Sequence, residues 1–193
     1  MSNNGHHSFM YYSSSEISSY IDSLSEIEPG KAFYLLVLSG PYRSAKEAFE
    51  KRVEKKVGAL TEVNLRTLIS NDEVDSIKKI DAFFDQVSES DKRFILRNGD
   101  VLAGEYTGHT YSTVRYATPQ EKYLLNKMKE SRCFFIIDIL EYENIDKTLQ
   151  RNAQNIIRFD QPHSFMGKLI WKLKQISLNG HTFANKRSPL AEK

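Results

Sequence analysis

Two residues, Gly40 and Lys46, have the types and spacing that could bind phosphate. They follow an apolar run at 32–38 and precede an amphipathic helical pattern, which is the strand, turn and helix context of a phosphate-binding loop. In such a loop a second glycine lets the backbone wrap the phosphates, the lysine neutralises them, and a hydroxyl holds Mg²⁺. Here Ala45 replaces the second glycine and Glu47 the hydroxyl, and the carboxylate would repel a phosphate by about 4 kcal/mol at a separation of roughly 4 Å. The simpler interpretation of Lys46 is a solvated lysine in the first turn of a helix.

The apolar segment at 94–100 predicts a second strand with chemically informative residues at its end. Arg97 and Asn98 stand where a nucleoside triphosphatase would carry two adjacent carboxylates. One of those carboxylates would hold Mg²⁺ and the other would polarise the attacking water. Arg97 and Asn98 can do neither, and Arg97 places a cation at the metal position. The sequence therefore predicts no catalytic residue and no metal ligand.

The elements that must position these residues alternate between strands and helices. Helical periodicity over 17–27, 43–57, 73–87 and 163–176 alternates with apolar runs, which predicts a parallel sheet covered on both faces. Residues 1–13 are rich in Ser, Asn and His and predict a disordered arm. We therefore expect that arm, an α/β core with an N-terminal helix over 14–162, and one further helix with a polar tail over 163–193.

From Phe33 to Trp171 the chain resembles the large subdomain of an AAA+ ATPase. The resemblance rests on segments at matching spacing, namely 100–104, 115–117, 123–125, 134–137, 143–146, 149–152 and 156–159, followed by Pro162. It implies a three-layer, P-loop NTPase-like α/β fold with a parallel five-stranded sheet, helices on both faces and a truncated lid over 163–193. Gly40, Lys46 and Asp100 would then be degenerate remnants of the Walker motifs, and no nucleotide is expected to bind.

Composition restricts the class of partner. The 193 residues carry a formal net charge of +2 and contain no run of about eighteen apolar residues, so we expect no membrane span and little affinity for nucleic acid. A single cysteine, Cys133, and the lack of a signal-peptide pattern favour the cytoplasm. No metal and no cofactor are expected.

These observations predict a catalytically inactive protein that binds other proteins as a scaffold, adaptor or regulator. The resemblance implies an active AAA+ relative as one partner, or a phage-tail-like contractile injection assembly, and it leaves the oligomeric state open. One alternative is an enzyme, a slow and unconventional ATPase that binds ATP and Mg²⁺. Another is a protein that still binds ATP and Mg²⁺ but does not hydrolyse the nucleotide. A nucleic-acid-binding role is the third class, and the mild charge argues against it.

Five residues are candidates for contacts with a partner. The helix over 14–27 presents Ile17 and Ile21, and the helix after Pro162 presents Phe165 and Trp171; Trp is a favoured interface anchor. Both helices could instead fold back to cover the sheet. Arg151 matches an arginine that completes a neighbouring subunit's site in the resembling family, and an ordinary surface arginine is an equally good interpretation.

Overall fold

The computed structural model describes residues 9–87, 92–102, 105–106, 115–161 and 165–179. The strands are β1 (Phe9–Tyr11), β2 (Tyr34–Ser39), β3 (Thr61–Asn64), β4 (Arg93–Arg97), β5 (Glu105–Tyr106), β6 (Arg115–Tyr116), β7 (Phe134–Ile139) and β8 (Asn155–Arg158). The α-helices are α1 (Ile17–Ser23), α2 (Arg43–Val57), α3 (Leu65–Leu68), α4 (Glu73–Asp85), α5 (Pro119–Ser131), α6 (Lys147–Asn152) and α7 (Phe165–Asn179). Short 3₁₀ turns lie at Leu24–Glu26, Gly99–Leu102 and Tyr142–Asn144.

Six of the strands form one parallel sheet in the order β1-β8-β2-β7-β4-β3, while β5 and β6 pair as a separate antiparallel ribbon. The central strands β2 and β7 run side by side from Tyr34 opposite Phe134 to Ser39 opposite Ile139. Both strands are mostly apolar on both faces, because helices cover both faces of the parallel sheet.

Alternate residues of the central strands supply two hydrophobic cores. Leu35 and Val37 point to the face covered by α4 and α5, whereas Leu36 and Leu38 point to the face covered by α1 and α2. All four side chains are fully buried. Because all six strands are parallel, their carboxyl ends lie at one edge of the sheet. Lys46 and Arg97 lie near this edge.

The prediction of a five-stranded sheet is wrong, because the sheet has six parallel strands. The additional strand, β1, lies inside the segment that the sequence analysis assigned to a disordered arm. Phe9 pairs with Ile156 and Tyr11 with Arg158. The next residue, Tyr12, is buried and stacks on Phe159 with ring centroids 4.7 Å apart. This aromatic anchor orders residues 9–12, while residues 1–8 of the arm lie outside the described part of the chain.

Most of the helices were predicted correctly from their periodicity. α2 has the predicted bounds, and α4 ends two residues before the predicted end at 87. α1 begins at Ile17 and continues into the 3₁₀ turn at Leu24–Glu26. α7 extends to Asn179, three residues beyond the predicted end at 176, and the polar tail at 180–193 lies outside the described residues.

Candidate functional site

Lys46 of α2 is held inside the protein by an ion pair. Its Nζ lies 2.5 Å from Asp138 Oδ1 and donates to the Ile139 carbonyl oxygen at 2.7 Å. Both side chains of the ion pair are almost fully buried. The sequence analysis weighed a phosphate ligand against a solvated lysine, and the structure shows a buried structural cation instead.

Arg97, at the end of β4, joins the same network. Its two terminal nitrogens bind the Glu50 carboxylate at 2.7 and 2.8 Å, its Nε donates to Glu62 at 3.0 Å, and Asp138 lies 3.6 Å away. Burial raises the pKa of Glu50, and hydrogen bonds and charge attraction from Arg97 oppose this rise. Burial opposes the charge on Arg97, yet its contacts with Glu50 raise the pKa of the guanidinium above its ordinary value. The two cations are thus matched by the carboxylates of Glu50, Glu62 and Asp138.

The Lys46 ammonium group is already bound within the protein, to Asp138 and to the Ile139 carbonyl. A nucleotide could recruit Lys46 only by breaking the ion pair and leaving Asp138 charged in the interior, which costs about 3–5 kcal/mol. Gly40 also has a packing role, because its φ is +123°. A Cβ at that position would lie 2.9 Å from the Phe159 backbone carbonyl. Gly40 and Lys46 are therefore explained by packing and internal charge pairing.

Asp100, the third predicted remnant, fastens the loop that follows β7. Its carboxylate accepts hydrogen bonds from the Leu140 amide at 2.8 Å and from Asn144 Nδ2 at 2.9 Å, with the Glu141 amide at 3.4 Å. The carboxylate oxygens are thus directed at backbone and amide donors, so Asp100 orders a loop.

A buried pair of carboxyl groups, Glu121 and Asp146, was missed by the sequence analysis. Glu121 lies in the first turn of α5, behind the N-cap Thr118, and Asp146 is the N-cap of α6. Asp146 Oδ1 accepts from the Leu149 amide at 2.6 Å. The two buried carboxyl groups lie within hydrogen-bond reach of each other. The sequence signal was the capping pattern of Thr118 with Glu121, but burial of the pair depends on the tertiary fold.

Burial, reinforced by the nearby Asp146, raises the pKa of Glu121 to about 9. Glu121 is therefore protonated at neutral pH, and a protonated carboxyl can donate to Asp146. Such shifts mark functional sites in some proteins and structural pairs in others. Here the two groups join the beginnings of two helices in a fully covered position, which indicates a structural pair.

An exposed apolar stripe on α7 is the main surface feature of the described residues. We use the name α7 stripe for its five members, whose exposed fractions lie between 41% and 81%: Phe165, Met166, Leu169, Ile170 and Leu173. At about 100° per residue these positions cover an arc of about 140° of the helix. Phe165 was predicted to be a contact residue, and it is the most exposed member. The side chain of Trp171 lies outside the described part of the structure, and its position falls on the opposite side of the helix.

The remaining predicted contact residues divide into buried and exposed. Ile17 and Ile21 are fully buried in the core against α2, so α1 covers the sheet and these two side chains are not available to a partner. Arg151 is exposed in the last turn of α6.

Among the described residues, no cluster of three or more His, Cys, Asp or Glu could hold a metal ion. None of the described helices combines the length and the apolar character that crossing a bilayer requires.

Comparison with known proteins gives a similarity of fold alone. No protein-family model matches the chain, and no curated protein matches it significantly. A chain in the structure of the E. coli MS115-1 HORMA:CdnC:Trip13 complex is similar, with a TM-score of 0.52 and 12% sequence identity. The match covers 84% of this chain but only 66% of the other, which is less than two thirds of its length. A shared fold at this level of identity does not by itself indicate a function.

These findings show that the interpretation of this chain as a degenerate AAA+ ATPase is wrong. No family model supports it, and the similar chain comes from a HORMA-containing complex at an identity that shows the fold alone. The description as a P-loop NTPase-like core with degenerate Walker motifs is also wrong, because the sheet has six strands and Lys46 is buried against Asp138. The class of protein that the structure defines is therefore a six-stranded parallel α/β protein with helices on both faces. α7 is therefore a helix of this α/β fold, and the interpretation of this segment as a truncated AAA+ lid is withdrawn with the AAA+ assignment.

Proposed function

We propose that this protein acts by binding another protein, as a scaffold, adaptor or regulator, and that the α7 stripe is the docking surface. The observation that carries the proposal is the exposure of five large apolar side chains on one side of one helix. Contiguous apolar patches of this kind on a folded protein mark interaction sites.

The energetics of a single helix support this proposal. Helices in proteins draw most of their stability from burying an apolar face, because a helix of about 12–15 residues is marginal in water. α7 contains 15 residues and turns its stripe to solvent. A partner that covers the stripe would remove this apolar surface from water, at about 25 cal/mol per Å² buried.

The similar solved chain belongs to a complex of several proteins, which agrees with an assembly role for the fold. The partners named in that complex are those of the other protein. For this chain we propose a partner within a larger assembly, and no observation in the structure favours contractile injection machinery as its setting.

We also propose that the protein does not hydrolyse ATP. The support is the internal pairing of two cations near the carboxyl ends of the strands. Lys46 is committed to Asp138 and Arg97 to Glu50. Phosphoryl transfer depends on groups that position and neutralise phosphates, and these two cations are neutralised by the protein itself.

A capture experiment tests the docking function. The tagged protein is isolated from the cells that make it, and a captured protein is purified and titrated against the wild type and a variant carrying Phe165→Ser, Leu169→Ser and Leu173→Ser. We expect the variant to bind at least tenfold more weakly, because hot-spot apolar residues dominate interface energies.

The matched control is Val74→Ser on α4, which alters a single exposed apolar residue away from α7. Circular dichroism verifies that each variant is folded. Equal binding by the wild type and the folded triple variant for every captured protein would show that the α7 stripe is not the docking surface.

A further inference from the structure

The charges around the α7 stripe indicate what kind of partner it fits. α7 contains Lys168, Lys172 and Lys174 and no acidic residue. Lys168 and Lys172 are exposed, and neither forms an ion pair with the described residues. By helical geometry both positions lie along the border of the stripe next to Phe165. The stripe is thus edged by positive charge on one side.

Lys168 and Lys172 also line a groove. A groove of about 300 Å³ lies between α7 and Gln161, and its floor is mainly apolar. It is lined by Phe165, Leu169, Lys168 and Lys172. A groove of this size accepts a large apolar side chain, and Lys168 and Lys172 are among the residues that line it.

We propose that the partner docks through an acidic amphipathic segment, with an apolar side chain in the groove and carboxylates on Lys168 and Lys172. This inference rests on the proposed docking function and specifies its partner. Residues four apart on a helix have Cβ atoms about 5–6 Å apart, so two carboxylates one turn apart on a partner helix match the two lysines. Helix-in-groove recognition of this type reads apolar anchors and flanking charge together.

Two other occupants conflict with the charges. A second copy in a two-fold contact would place the same patch against itself, and Lys168 and Lys172 would then face their own equivalents. The chain's own tail at 180–193 contains Lys186, Arg187 and Lys193 against a single acid, Glu192. It therefore repeats the charge of the groove instead of complementing it.

An anionic membrane could also attract a basic amphipathic helix. The concave site between α7 and Gln161 favours a protein segment, because a groove gives an inserted side chain contacts on several sides that a flat lipid surface does not use. Vesicles are accordingly included as a competing arm of the test.

The test uses three fluorescein-labelled helical peptides that share the same Leu and Phe anchors. The first carries Glu beside the anchors, the second has Gln at every Glu position, and the third has Lys there. Fluorescence anisotropy measures the binding of each peptide to the full chain at low and high salt. Vesicles of phosphatidylglycerol and phosphatidylcholine are tested separately by co-sedimentation.

We expect the Glu peptide to bind the wild type at least tenfold more tightly than the Gln peptide, with affinity falling as salt rises. The variant carrying Lys168→Glu and Lys172→Glu should reverse the preference toward the Lys peptide. A control carrying Lys78→Glu and Lys129→Glu changes the net charge equally at exposed lysines on α4 and α5, and it should behave as the wild type.

Three outcomes would overturn this inference. The first is equal affinity for the Glu and Gln peptides, and the second is no binding of the Glu peptide. The third is binding of anionic vesicles that is lost in the variant carrying Lys168→Glu and Lys172→Glu but not in the control variant. In each case the capture experiment with the triple serine variant still decides the docking function separately. Loss of partner binding in that variant, together with a failed charge preference, would leave a docking surface whose partner is not acidic.

Discussion

Glu121→Gln should stabilise the protein, and more so as pH rises. The folded protein raises the pKa of Glu121 from 4.5 to about 9. Because the folded pKa is the higher one, the contribution of Glu121 to stability is fully present below about pH 4.5 and is lost progressively as pH rises toward 9. Glutamine keeps the shape and a hydrogen-bond donor near Asp146 but requires no proton.

The size of the effect follows from the two pKa values. Each pH unit above the unfolded pKa costs the native state about 1.4 kcal/mol while Glu121 remains protonated. At pH 7 the interval is about 2.5 units, so Glu121→Gln should raise the free energy of unfolding by about 3 kcal/mol. For a chain of this size that corresponds to an increase in Tm of roughly 6–12 °C.

Urea unfolding of the wild type and Glu121→Gln at pH 5, 6, 7 and 8 measures this difference. We expect the two curves to approach one another at pH 5 and to separate steadily above it. Glu130→Gln, an exposed position on the same helix, is the matched control and should show no pH-dependent gain. Parallel stability curves for the wild type and Glu121→Gln would refute the assignment of a buried proton to Glu121.

Three further predictions concern the other features. Lys46→Met should lower the free energy of unfolding by about 3–5 kcal/mol, since it removes the cation in direct contact with the buried Asp138 carboxylate and leaves Arg97 3.6 Å away. If urea unfolding shows the double change Lys46→Met with Asp138→Leu to be no more stable than the single change, the ion pair is not the cause. Millimolar ATP with Mg²⁺ should leave Tm unchanged and release no phosphate above background, whereas ligand at 100 times its Kd would add about 2.7 kcal/mol; a saturable rise in Tm would restore the nucleotide alternative. Tyr12→Ala should cost about 3–5 kcal/mol through the lost packing on Phe159, while Tyr12→Phe should be nearly neutral in the same urea assay because the hydroxyl finds no partner among the described residues.

The elements that could be predicted from the sequence are those with local signals. The helical periodicity at 43–57 matches α2, and the apolar segments at 32–38 and 134–137 overlap β2 and β7. β1 could not be predicted in this way, because three residues carry no period and their order depends on pairing with β8. The number of strands in the sheet was therefore wrong by one.

The candidate site was less predictable than the fold because its contacts are distant in sequence. Lys46 lies 92 residues from Asp138, and no local pattern indicates that the lysine is turned inward. The segments that resembled an AAA+ ATPase are each only a few consecutive residues long. They carry no information about which distant residues form ion pairs. The apolar character of α7 could be predicted from the sequence. Whether Phe165 and its neighbours face the core or the solvent could not, because that depends on how the helix packs.

The pairing of β1 with β8 has a consequence for how the chain folds during synthesis. Phe9 is hydrogen-bonded alongside Ile156, so the edge strand cannot be placed until the ribosome has made the strand it pairs with. At about 5–20 residues per second, this delay is roughly 7–30 s. Throughout that interval Tyr12 has no Phe159 to stack on, and one edge of the nascent sheet stays open at β2. Pairing of β1 with β8 is thus a late step of folding, and until it occurs the unpaired edge of β2 is open to chaperones and proteases.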